Sequence, residues 1–160
     1  MTICSYADPD VINEETDMTP QEQLELVKKH YSLNKAGDFD EAQKLLTDDF
    51  SITIPDYMPF AGVYRGKNAF VELIPIVAKS VSVKTLTYVA TTVGDDHAVE
   101  LVEFTLEGGG DTPVEVAEVV WFRGEQISEI RPFYFDPAPF IEAAARNAAK
   151  AAAENAVASN

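Results

Sequence analysis

The stretch Val81–Phe135, VSVKTLTYVATTVGDDHAVELVEFTLEGGGDTPVEVAEVVWFRGEQISEIRPFYF, decides the fold. Its apolar residues recur at every second position. Gly94-Asp95-Asp96, Gly108 to Thr112 and Arg123-Gly124-Glu125 cut the run into four segments, roughly 82–92, 97–107, 114–123 and 126–135. A period of two sends successive side chains to opposite sides of a strand, and short Gly/Asp-rich breaks reverse the chain. The four segments therefore read as an antiparallel meander.

Two of these strands carry a carboxylate in an apolar row. Val116, Glu118, Val120 and Phe122 share one face of the third segment, and Ala98, Glu100, Val102, Phe104 and Leu106 share one face of the second. Pairing through the Gly108 to Thr112 turn makes Glu100 and Glu118 approximate diagonal neighbours, and two close carboxyls in an apolar setting push their pKa values apart. Burial would hold Glu118 protonated as a proton donor. The alternative is an ion pair, because one hairpin register sets Arg131 opposite Glu118. On the other face Val99, Leu101, Val119 and Trp121 have no covering helix, which implies a homodimer.

Upstream the period is helical. Thr19, Pro20 and Glu22 have the spacing of an N-cap, a first-turn proline and a capping-box partner, with Leu24, Val27 and Tyr31 inward and a stop at Ala36-Gly37. A second short helix is expected over 38–46, a strand over Ser51 to Ile54 stopped by Pro55, and a third helix over 67–79 bent or split at Pro75. Between them Tyr57-Met58-Pro59-Phe60 is an apolar loop in need of a ligand or a core. Helices followed by a strand meander indicate an α+β fold. Residues 1–18 read as an acidic arm, 19–137 as the domain, and 138–160 as an Ala-rich helix or tail with little apolar surface to hold it down.

The composition narrows the function. A length of 160 residues suits one hydrophobic core, and 46% apolar with 24% charged residues is ordinary for a globular chain. A formal charge of −15 argues against nucleic acid and anionic membrane partners, which are bound through Lys and Arg. The single Cys4 forms no internal disulfide, no Cys/His spacing suggests a metal, and no glycine-rich cradle suggests a nucleotide, so no cofactor is expected. No export signal is read, and the expected location is cytoplasmic.

The run HYSLNKAGDFDEAQKLLTDDFSITIPD, then GVYRGKNAF, then ISEIRPFYFD resembles the nuclear transport factor 2-like superfamily, in its SnoaL-like and ketosteroid isomerase-like branches, over about residues 20–137. The resemblance implies a curved antiparallel sheet and three N-terminal helices that form a cone around an apolar pocket. It implies a cofactor-independent isomerase, cyclase or dehydratase acting on a small apolar carbonyl compound by general acid and base catalysis. A non-catalytic ligand-binding or dimerisation domain is the alternative.

In the isomerases the first-helix tyrosine donor lies seven residues before the glycine matching Gly37, where this chain has His30. A histidine there can donate to an oxyanion, act as a base, or sit hydrogen-bonded in the core. Their catalytic aspartate matches Ile54, and Asp56 two residues on is either a base or a turn residue. Their second donor matches Glu118. Phe104, Tyr57, Phe60, Trp121 and Tyr134, with Glu100, are the expected lining. Epoxide hydrolysis is disfavoured, because the middle strands lack the Arg flanked by two carboxylates, which only Arg131 with Glu100 or Glu118 could imitate.

Overall fold

The computed structural model describes residues 18–158, so residues 1–17 of the arm, Cys4 among them, lie outside the described residues. Thr19 caps the first helix, α1 (Pro20–Ala36), through a complete capping box with Glu22, and Gly37 closes it at φ 77°. That left-handed turn favours a residue without Cβ. The remaining elements are α2 (Phe39–Gln43), β1 (Leu46–Ile54), β2 (Gly62–Arg65), α3 (Ala69–Val81), β3 (Val83–Val93), β4 (His97–Leu106), β5 (Val114–Arg123), β6 (Gln126–Tyr134) and α4 (Ala138–Ala158).

The six strands form one sheet in the order β2-β1-β6-β5-β4-β3. It is mixed rather than antiparallel, because β1 runs parallel to β6 at Ser51 opposite Glu129 and Ile52 opposite Ile130. The meander itself is antiparallel, as its alternation predicts. A contact distant in sequence brings in β1 and cuts the second helix short. The Ile127 amide donates to Leu45 O at 2.9 Å, and the Gln126 amide side chain donates to Lys44 O and Leu46 O, so the chain is captured as strand five residues before Ser51. Only two of the three helices are N-terminal. The third, α3, follows the β1–β2 hairpin and continues through the exposed Pro75 without a break.

Two irregularities set which side chains face inward. A register shift in β3 between Tyr88 and Ala90 puts Tyr88 opposite Val102 and Thr91 opposite Glu100, both on the inner face. Regular alternation would have sent residues three apart to opposite faces. In β6 a second shift leaves Ile130, Pro132 and Tyr134 facing inward with Ile127.

The core lies between that inner face and the helices, with Val27, Phe50, Ile52, Ile127 and Ile130 at most 2% exposed. The Ala-rich helix contributes to it. Phe140 and Ala143 on α4 are each 1% exposed, and the Phe140 ring stands 5.5 Å from that of Phe104 and 5.3 Å from that of Tyr134. The expectation of a helix with little to hold it holds only beyond Asn147, where every described side chain is exposed. No helix among the described residues is long and apolar enough to cross a membrane.

Candidate functional site

A cavity of about 290 Å³ lies between the inner face of the sheet and helices α1, α3 and α4. That volume is near the lower end of small-molecule sites, which run from about 300 to 1,000 Å³. Ile52, Ile54, Phe60, Phe70, Leu73, Val102, Phe104, Ile130 and Phe140 make the walls apolar. Tyr31, Asn34, Lys35, Tyr88, Glu118 and Tyr134 supply the polar groups.

Glu118 is the one carboxylate in the wall among the described residues. Its place follows from period two on β5, where Val114, Val116, Val120 and Phe122 around it are buried. Its partner comes from α1, where the Tyr31 hydroxyl donates a hydrogen bond to Glu118 Oε2. Glu118 keeps some exposure, but this is exposure to the cavity, with protein around the rest of the carboxyl. Burial pushes its pKa up to about 7, against the Tyr31 hydrogen bond, which stabilises the ionised form, and with help from the charge of Glu100. Burial and the neighbouring carboxyls raise Tyr31 far above the ordinary phenol value, so it stays a donor.

Glu100 stands directly opposite Glu118 across β4 and β5, closer than the diagonal relationship read from the turn. It is 3% exposed, does not line the cavity, and accepts a 2.5 Å hydrogen bond from Thr91 Oγ1. Burial raises its pKa too, opposed by the Thr91 bond and the charge of Lys28. Glu100 is thus a charge behind the wall rather than a group that a ligand in the cavity touches.

The Glu118–Arg131 ion pair is absent because of register. Glu118 faces Pro132, whereas Arg131 faces Val119 on the opposite side of the sheet. There its guanidinium pairs with Glu129 at 2.6 Å and lies 4.9 Å from the Trp121 ring centroid. This also removes the imitation of an epoxide hydrolase set by Arg131 with Glu100 or Glu118.

Of the residues read from sequence, Glu118, Phe104, Phe60 and Tyr134 meet at the cavity. His30 does not line it. Fully buried between α1 and α2, it contacts Phe70 at 4.8 Å between ring centroids and the Asn34 amide at 3.1 Å. Burial lowers its pKa to about 4, so it is a neutral core residue near pH 7. Asp56 and Tyr57 are exposed on the loop after β1, outside the cavity wall, because the turns at Pro55–Met58 and Met58–Ala61 carry Met58 and Phe60 inward instead. Trp121 is on the outer face with Arg131.

Sequence reasoning missed Tyr31 and Tyr88 as polar groups of the site. A signal for Tyr31 was present, since a tyrosine at helical spacing from the inward Val27 buries a phenol that needs a partner. A tyrosine thus lines the cavity one residue after His30, the position at which the resemblance implies a donor. No comparable signal existed for Tyr88, whose inward placement beside Thr91 depends on the β3 bulge. Among the described residues no group of three or more His, Cys, Asp or Glu side chains stands close enough to hold a metal.

Comparison with known proteins agrees with this architecture. Residues 27–130 match the family model of the SnoaL-like domain. No curated protein matches the sequence. Among solved structures, an NTF2-like protein from Burkholderia xenovorans LB400 is similar at 19% identity, over 79% of this chain and 98% of its own, with a TM-score of 0.65. Bal32a from a soil-derived mobile gene cassette is similar at 19% identity, over 78% and 98%, with a TM-score of 0.67. A protein provisionally named a ketosteroid isomerase from Kribbella flavida DSM 17836 is similar at 15% identity, over 73% and 80%, with a TM-score of 0.57. At such identities the likeness carries the fold and not the activity. The family match spans most of the chain and coincides with the elements that build the cavity: this protein belongs to the SnoaL-like domain family and has the NTF2-like fold.

Proposed function

We propose that the cavity binds a small apolar carbonyl compound and that Glu118 moves a proton on it, without a cofactor. One observation carries this reading. A single carboxyl, hydrogen-bonded by Tyr31 and poised near pH 7, stands in an otherwise apolar cavity. A group with its pKa near the working pH is present in both protonation states and serves as acid or base. As a carboxylate, Glu118 takes a proton from the carbon next to the carbonyl. As an acid, it returns that proton to another carbon or to a departing hydroxyl.

Tyr88 and Tyr134 hold their protons because burial raises both phenols, and they are available as donors to the ligand oxygen as charge develops on it. Among the described residues no other carboxylate belongs to the wall, so one residue carries both halves of the transfer. Isomerisation and dehydration both have this form, and a step needing two separate carboxylates does not fit.

A second reading, a binding domain without catalysis, is favoured by Ile54. This residue forms wall where the ketosteroid isomerase resemblance implies a base. Exchange of the α-protons of 2-tetralone in deuterated buffer, followed by proton NMR, separates the two. Acceleration over buffer that falls about 100-fold or more in Glu118→Gln supports proton transfer. Binding of 2-tetralone without acceleration supports the second reading.

A further inference from the structure

Resting on the reading of the cavity as a ligand site, we propose that its ligand is an anion, a flat carbonyl compound whose carboxylate is held at the mouth by Lys35. The cavity has two chemically different ends. Ile52, Ile54, Phe60 and Phe140 in the wall are buried, whereas Lys35, Ile74 and Ala78 are lining residues exposed to solvent and so mark the mouth. Lys35 is the only cation in the wall among the described residues. Its ammonium lies 5.7 Å from the Tyr88 ring centroid, and the Tyr88 ring in turn lies 5.1 Å from that of Tyr31, whose hydroxyl meets Glu118. Cation, two aromatic rings and carboxyl thus follow one another from the mouth inward.

Among the described residues Lys35 has no carboxylate partner, so its charge is not spent on an ion pair. Its place in the last turn of α1 complements the helix dipole but does not require that it line a cavity. In a chain of net charge −15, a cation at an apolar mouth selects strongly among ligands, because the protein as a whole repels anions and, among the described residues of the wall, only Lys35 attracts one. The neutral end of the ligand enters first, since the buried end holds a carboxyl and phenols but no cation, and a carboxylate there would meet Glu118.

Calorimetric titration with 6-acetyl-2-naphthoate and with its neutral amide, 6-acetyl-2-naphthamide, tests this. The unmodified protein should bind the carboxylate about fivefold or more tighter than the amide. In Lys35→Met, which keeps an unbranched stem, that preference should vanish. Lys35→Arg should retain it. Equal binding of the two compounds by the unmodified protein, or a preference that survives Lys35→Met, overturns the proposal and leaves the cavity reading intact. Failure of both compounds to bind overturns the cavity reading and this proposal with it.

Discussion

The Tyr31 hydroxyl, carried on α1, donates to the carboxyl of Glu118 on β5, joining two residues 87 positions apart in the chain inside one apolar cavity. The bond favours ionised Glu118, whereas burial and Glu100 favour the acid. Removing the donor should therefore move the balance. In Tyr31→Phe the Glu118 pKa should rise above about 7, and in Glu100→Gln it should fall below it, both read by carbon NMR of labelled glutamate. Unchanged values in both variants would mean that neither group senses Glu118.

Two groups make stability depend on pH in opposite senses. His30 has its folded pKa lowered from 6.5 to about 4, so below pH 6.5 the unfolded chain takes up a proton that the fold refuses, and stability falls toward acid. Glu118 has its folded pKa raised from 4.5 to about 7, so its contribution is complete below pH 4.5 and is lost as pH rises to 7. Glu118→Gln removes the second effect. Chemical denaturation should find the variant equal to the parent near pH 4 and more stable by about 3 kcal/mol at pH 8. Destabilisation at pH 8 would show that the ionised carboxyl is needed by the fold.

The helix α4 should be divisible. Deleting residues 148–160 removes only exposed described side chains and should shift the melting temperature by less than about 2 °C. Phe140→Ala should cost about 3 to 5 kcal/mol, because this ring contacts Phe60, Phe104 and Tyr134 and closes one wall of the cavity. Asn147, whose amide donates at 2.9 Å to Ser80 O and to Ser82 Oγ, marks the boundary. A smaller loss for Phe140→Ala than for the deletion would reverse this assignment.

We expect a homodimer through the outer sheet face, where Val99 pairs with Val119 and Leu101 with Ala117 and no helix covers them. Val119→Arg should give a folded monomer in sedimentation at micromolar concentration. A monomeric parent protein would remove the expectation.

The meander and the capped first helix were legible because they depend on local rules, period two between glycine turns and a capping box. The apolar rows on β4 and β5, each with one carboxylate, were legible for the same reason, and Glu118 with them. What could not be read depends on contacts between distant segments. Gln126 and Ile127 draw Leu45 and Leu46 into a parallel pairing that no local pattern announces. The β3 bulge turns Tyr88 inward, and a register one residue from the one considered sends Arg131 to the other face. His30 and Tyr31 are adjacent on α1, so a small difference in helix phase decides which of them reaches the cavity.

The protonation of Glu118 is measured most directly by infrared difference spectroscopy of the parent protein against Glu118→Gln across a pH series. A buried protonated carboxyl gives a carbonyl stretch that the variant lacks. We expect that band to be present at about pH 5.5 and to fade with a midpoint near 7, as burial of the group requires. A band already lost by about pH 5 would put Glu118 at an ordinary carboxylate value, and the proton-transfer role proposed for it would be contradicted.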